Sequence, residues 1–300
     1  IASVLSTKYN RHVKAVHIMQ HRTVAAIAAA AVEGGGGSGV ELVRRERGAD
    51  AAMSGLVLSY EQEQMWIIYQ LDRSSAAYSV PYVQRLRGEL DVAVLTAAVK
   101  AVGGRHEVLR TRYGNNEEGH SRQWVMGLSE WEVEVREEDV EDEVGAEAAV
   151  ASEIGRAIEL EKGSLRLTVV HVRGRKGRAR RRGAATAPDE HIIILNVHHI
   201  ATDGWSTAVL TGDIMAAYNT LVSGESLAVV EETYIRYGDY AAWQREVLAD
   251  EQFMAGHMAF WRETLGGELA VLELQPDHPR PAVLTSSGSS VAVSVSSATS

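Results

Sequence analysis

Hydrophobic and polar positions along this chain follow two alternating periods. Residues 61–71 carry apolar side chains at helical spacing, and Ser59 stands where an N-cap belongs. Residues 91–102 repeat the helical pattern behind Asp91, an acidic residue that suits the positive end of a helix. Residues 146–160, 206–221, 237–248 and 252–265 also read as helices. Between them, 78–86, 109–113, 123–126, 131–135 and 165–172 read as strands, and the apolar run 191–197 as a buried one. Strands interleaved with helices predict a layered α/β domain. Ahead of it, 14–32 is an alanine-dominated helical stretch, broken by the glycine run 34–37. Residues 33–55 have a flexible linker's composition.

Composition narrows the function classes. The chain has 300 residues, 45% of them hydrophobic, enough to bury a core. Forty acidic against 30 basic residues give a formal charge of −10, a poor match for nucleic acid. Without cysteine there is no disulfide, thiolate metal site or cysteine nucleophile. No apolar run reaches the ~18 residues of a membrane span, and the first residues lack a secretory leader's pattern. A cytoplasmic location is the expectation. Residues 137–147 form an acidic block, and 173–182 hold seven basic residues in ten. Like-charge blocks are usually solvated, and the basic one reads as an insertion between two strands.

The chemistry concentrates at His198-His199-Ile200-Ala201-Thr202-Asp203-Gly204-Trp205-Ser206, between the buried strand and a long helix. Neighbouring side chains at a strand end diverge, so one histidine should enter a cavity and the other the opposite layer. Asp203 can orient an imidazole or pair with an arginine. Gly204 permits tight packing or an unusual φ. Adjacent histidines diverge too far to chelate together, so no metal is expected.

The HHxxxDGWS order resembles the active-site motif of condensation domains of nonribosomal peptide synthetases. Other segments fall in that family's order. Leu-Ser-Tyr-Glu-Gln-Glu-Gln-Met-Trp at 58–66 resembles its opening motif, and Ala-Tyr-Ser-Val-Pro at 77–81 the segment after it. Arg-His-Glu-Val-Leu-Arg-Thr-Arg-Tyr at 105–113 is similar to the second motif. Tyr-Gly-Asp-Tyr-Ala-Ala-Trp-Gln-Arg at 237–245 resembles the motif after the active site. Phe260-Trp261, Leu-Gly-Gly at 265–267 and Pro-Asp-His-Pro-Arg-Pro at 276–281 resemble the approach to a second lobe. The resemblance covers roughly 56–300, while 20–28 is similar to the last helix of a carrier domain.

The resemblance implies a chloramphenicol-acetyltransferase-like two-layer α/β lobe with the second lobe largely missing. Its domain plan is a carrier-domain helix at 1–32, a linker at 33–55 and a partial condensation domain at 56–300. The implied reaction joins a carrier-bound aminoacyl or peptidyl thioester to an aminoacyl thioester through an amide bond. His199 is the expected base or positioning group, suited by an imidazole's pKa near neutrality. His198, Asp203 and Gly204 complete the site. Asp203 is expected to pair with an arginine, Arg110 before Arg112, and Trp205 to pack at the base of the following helix. Trp66, Trp243 and Trp261 are expected to anchor the core or an interface. No cofactor is expected on the chain itself, because the 4′-phosphopantetheine arms belong to partner carrier domains. An adenylation domain is the other expected neighbour in the polypeptide. The alternatives are an HHxxxDG acyltransferase that transfers to an alcohol, and a truncated, non-catalytic fragment. An epimerisation domain fits Gly204-Trp205-Ser206 poorly, and a heterocyclisation domain would carry aspartates in place of both histidines.

Overall fold

The computed structural model describes residues 40–47, 54–172, 190–227, 233–279, 282, 291 and 293–295. The expectations for the alanine-rich helix, the glycine run and the basic block lie outside the described residues.

In chain order the elements are β1 (Leu56–Val57), α1 (Tyr60–Leu71), β2 (Ser79–Arg87), α2 (Val92–Arg105), β3 (Thr111–Asn115), β4 (Ser121–Val125), β5 (Glu134–Val140), α3 (Glu143–Ile154), β6 (Leu165–Val172), β7 (Glu190–His198), α4 (Ser206–Val222), α5 (Tyr237–Ala249) and α6 (Glu251–Thr264). Two compact units divide them: Val43–Arg245 with Gly267–Ser300, and Ile1–Leu42 with Glu246–Gly266.

The first unit is built on a four-stranded sheet in the order β2-β7-β6-β5. β7 is antiparallel to both neighbours, while β5 and β6 run parallel and are joined through α3, as parallel pairs need a crossover. The register sorts the side chains. Leu165 faces Val197 and Leu167 faces Leu195 across β6 and β7. These four and Val169 pack on Leu95, Ala98, Val99 and Val102 of α2 and on Leu210, Ile214 and Ala217 of α4. Val170, Val172, Ile192 and Ile194 instead meet Ala146 and Ala149 of α3. With helices on both faces, β7 carries the apolar run Ile192–Leu195, and nearly all of β6 is buried although Arg166, Thr168 and His171 interrupt its apolar residues. Each buried Leu, Ile or Val contributes roughly 1.5–3 kcal/mol.

β1, β4 and β3 form a smaller sheet. The strand expected at 109–113 begins later, because Glu107–Arg110 turn as a 3-10 helix. Arg110 is buried there, donating through Nε to Gly103 O at 3.1 Å and through a terminal nitrogen to Met126 O at 2.5 Å. The acidic block is ordered: its start lies in β5, an edge strand whose charges stay in solvent and discourage further pairing. Trp131, expected in a strand, lies just before β5, and its indole covers Gly103 of α2. A Cβ on Gly103 would stand 2.1 Å from that ring.

Part of the expected linker is pinned. Arg47 makes a two-bond pair with the buried Glu107 at 2.7 and 2.5 Å, and the Arg45 N–H donates to Asp239 at 3.2 Å. Composition shows a flexible segment there, but the Arg47 guanidinium and the Arg45 backbone N–H each satisfy a buried carboxylate.

In the second unit, α6 is capped by Asp250, which accepts from the N–H groups of Gln252 and Phe253. Trp261, expected as an anchor, is 53% exposed.

Candidate active site

The two histidines part at the end of β7. His198 is the strand's last residue, paired with Ser79 of β2, and is 5% exposed. Its Nδ1 accepts from the Ile200 N–H at 3.1 Å, and its ring meets Tyr69 of α1 edge to face at 6.4 Å. Burial first, then the neighbouring His199 charge, pushes its pKa down to about 4. It is therefore a neutral, structural imidazole at physiological pH. His199 begins the turn and is exposed, while its N–H still donates to Tyr78 O at 2.8 Å, one rung beyond the paired strand.

Beyond His199 the loop is held by side chains. Ala201 N donates to His198 O at 2.9 Å. Thr202 is buried, its hydroxyl 2.8 Å from the Tyr82 hydroxyl. Asp203 Oδ1 accepts from Ser206 N at 2.8 Å and Ser206 Oγ at 2.6 Å. The Ser206 hydroxyl, then its N–H, hold the Asp203 carboxyl below the usual carboxylate range. Asp203 thus caps α4 from three residues back, a task the local N-cap residue, Trp205, leaves undone.

This corrects three expectations. Asp203 bonds to Ser206, while Arg110 bonds to carbonyls near the end of α2 and after β4. A local serine meets Asp203's need, and buried carbonyls draw the guanidinium elsewhere. Trp205 does not pack beneath α4: it is 83% exposed. Gly204 shows no left-handed φ, and an added Cβ would meet nothing within 4 Å. The sequence singled out His198, His199 and Asp203, but not Tyr82 or Thr202. Their signal was weak, because a tyrosine in a strand and a threonine before an aspartate are common.

The outer motifs build a scaffold. Ser59 and Gln62 form a capping box: Ser59 Oγ accepts from Gln62 N, and Gln62 Oε1 accepts from Ser59 N, both at 3.1 Å. Gln62 also pairs amide to amide with Gln123, which donates to Val57 O at 2.7 Å. Trp66, 2% exposed, donates to Asn115 at 3.0 Å. From α5, Gln244 accepts the Tyr60 N–H at 2.8 Å, Arg245 donates to Leu58 O at 2.8 Å and Tyr237 meets Ser59 at 3.2 Å. Trp243 is partly exposed and packs its ring against Tyr240 at 5.8 Å.

Among the described residues, no cluster of three or more His, Asp or Glu is arranged to hold a metal, and no helix is long and apolar enough to cross a membrane. A surface cavity of about 460 Å³ between Trp131 and Arg166 includes none of the motif loop.

The α/β lobe thus presents one histidine of the HHxxxDG loop to solvent and buries the other. The family model for the Condensation domain matches residues 54–300, and the chain belongs to that family. Its relatives are nonribosomal peptide synthetases. One component of the linear gramicidin synthase of Brevibacillus parabrevis is 33% identical over 80% of this chain. The isonitrile lipopeptide synthase of Mycobacterium tuberculosis is 37% identical over 79%. The chain spans 3% and 9% of the lengths of these two proteins. Among solved structures, the X-domain from teicoplanin biosynthesis matches 81% of this chain with TM-score 0.65 at 24% identity. The starter condensation domain of rhizomide synthetase RzmA matches 70% with TM-score 0.56 at 18% identity. The chain covers 49% and 48% of those chains, and the likeness shows the chloramphenicol-acetyltransferase-like fold.

Proposed function

We propose that this chain supplies the histidine-bearing half of a site that joins two carrier-bound thioesters through an amide bond. The α-amine of the acceptor attacks the donor's thioester carbonyl. A C–N bond forms, the C–S bond breaks, and the phosphopantetheine thiol of the donor carrier leaves. His199 takes the proton the amine gives up and returns it to the departing thiolate. A neutral imidazole can take that proton, and the imidazolium it becomes can return it. Holding two tethered substrates in line supplies several of the ~7–11 kcal/mol available from orientation. The partners are a donor and an acceptor carrier domain, with an adenylation domain loading the acceptor.

The observation that carries this reading is the split of the histidine pair, with His199 open to solvent and His198 buried and neutral. His199→Ala in the full-length parent protein, both carriers loaded, is the test. Product formation measured by mass spectrometry is expected to fall by roughly 10²–10⁴-fold, the usual contribution of a general base. Wild-type turnover in that variant would sink the reading. An ester in place of the amide product would point to alcohol acylation.

A further inference from the structure

The outer half of the histidine loop has little packing to hold it. Asp203, Gly204 and Trp205 are all exposed, and the space around Gly204 is open. Its position must come from polar ties at its two roots. One partly buried group reaches both. The Tyr82 hydroxyl lies 2.8 Å from Thr202 Oγ1 on the strand side and accepts from Thr207 Oγ1 at 3.4 Å on the helix side. Tyr82 is itself anchored: it sits on β2, faces Leu195 of β7 and packs against the apolar core beneath α2 and α4. Four residues earlier on the same chain, Tyr78 O accepts the His199 N–H. β2 and the residue before it therefore hold the loop twice, once by backbone at His199 and once by side chain at Thr202.

Either hydroxyl of the Tyr82–Thr202 pair can donate to the other, and the Thr207 hydroxyl is placed to donate to Tyr82 at 3.4 Å or to Asp203 O at 3.5 Å. Thr207 and Thr202 flank the Asp203–Ser206 cap, so the hydroxyl chain closes the loop across its base.

We propose that Tyr82 and Thr202 are positioning residues for His199. They touch neither substrate nor reacting atoms. Their hydroxyls hold the loop so that the imidazole meets the attacking amine in line. The inference rests on the amide-forming role given to His199 above. A shift of about 1 Å in a reacting group can cost ~100-fold in rate, so losing the tie should be felt in turnover more than in substrate binding.

The experiment uses the full-length parent protein with loaded carriers. Tyr82→Phe keeps the ring packed on the core and removes only the hydroxyl. Its kcat is expected to fall by about 10-fold, within that limit, with KM for the acceptor carrier unchanged. Thr202→Val should show the same loss, and Thr202→Ser should restore most of it. The double variant Tyr82→Phe/Thr202→Val should be no worse than Tyr82→Phe alone, since that variant already removes the Thr202 tie. Unchanged kcat in Tyr82→Phe and Thr202→Val overturns the proposal. So does a loss seen in KM or thermal midpoint with kcat intact, the mark of a merely structural contact. If Tyr82→Phe does not fold, the Val/Ser pair at Thr202 decides alone. His199→Ala runs alongside. If it keeps full turnover, the role of His199 fails. If it is inactive while the hydroxyl variants behave as wild type, only the positioning inference fails.

Discussion

The clamp at the start of α1 and the loop after β7 carry motifs of similar length, yet they are built in opposite ways. In the clamp, Ser59, Gln62, Gln123 and Trp66 are at most 2% exposed and bonded to one another or to α5 and β3. In the loop, His199, Asp203, Gly204 and Trp205 are exposed. The clamp resists change because each buried polar group there would be left unpaired by losing its partner, a cost of about 1–3 kcal/mol apiece. The loop is held at its roots and exposed at its tip, which suits the amide-forming role proposed for His199. A motif marks a position as important, while its burial distinguishes architecture from chemistry.

Mutations can break this contrast. His199→Ala should remove roughly 10²–10⁴ of turnover yet leave unfolding stability within about 0.5 kcal/mol, as exposed substitutions usually do. Chemical denaturation of the chain beside an activity assay of the full-length protein checks both halves. A large stability loss would put His199 in the scaffold. Trp66→Ala should do the reverse, costing about 3–5 kcal/mol through the cavity it leaves, read as a shifted urea midpoint.

His198 links the two regions and predicts a pH dependence. Its folded pKa, about 4, lies below the ordinary 6.5. The unfolded chain therefore binds the proton first as pH falls. The stability at stake is fully present above pH ~6.5 and is lost progressively as pH drops to ~4, reaching about 3 kcal/mol below that. Urea unfolding at pH 7 and pH 4.5 should show the fall, and His198→Asn should flatten it. An equal slope in the variant would assign the dependence elsewhere.

Smaller effects sharpen the contrast. Gly103→Ala should destabilise by about 1–3 kcal/mol through overpacking on Trp131, although alanine is the better helix former; a raised thermal midpoint would contradict the packing. Ser59→Ala should cost about 1 kcal/mol of global stability. Asp203→Ala should chiefly speed amide exchange at Ser206, since the cap it removes is exposed.

Much of this was legible in the residues. Ser59 as an N-cap announced the start of α1, and the alternation at 165–172 and the apolar run at 191–197 announced the paired central strands. The HHxxxDG order singled out the loop to which the proposed chemistry is assigned. The partners of Asp203 and Arg110 were not legible. An aspartate can satisfy itself on a serine three residues away or on a distant guanidinium, and only the path of the chain selects between them. The acidic block read as solvated, and its charges are largely in solvent, but its first residues pair in β5 and its last ones open α3, since backbone pairing with β6 is not revealed by composition.

The sequence by itself determined the periods, the caps and the adjacent histidines, all local properties of neighbouring residues. Tertiary structure alone decided which histidine faces water, where Arg110 spends its donors and that a hydroxyl on β2 reaches the loop at Thr202. Tyr82 and Thr202 stand 120 residues apart along the chain. The strand pairing that brings them together depends on the whole buried sheet, not on either residue's neighbours.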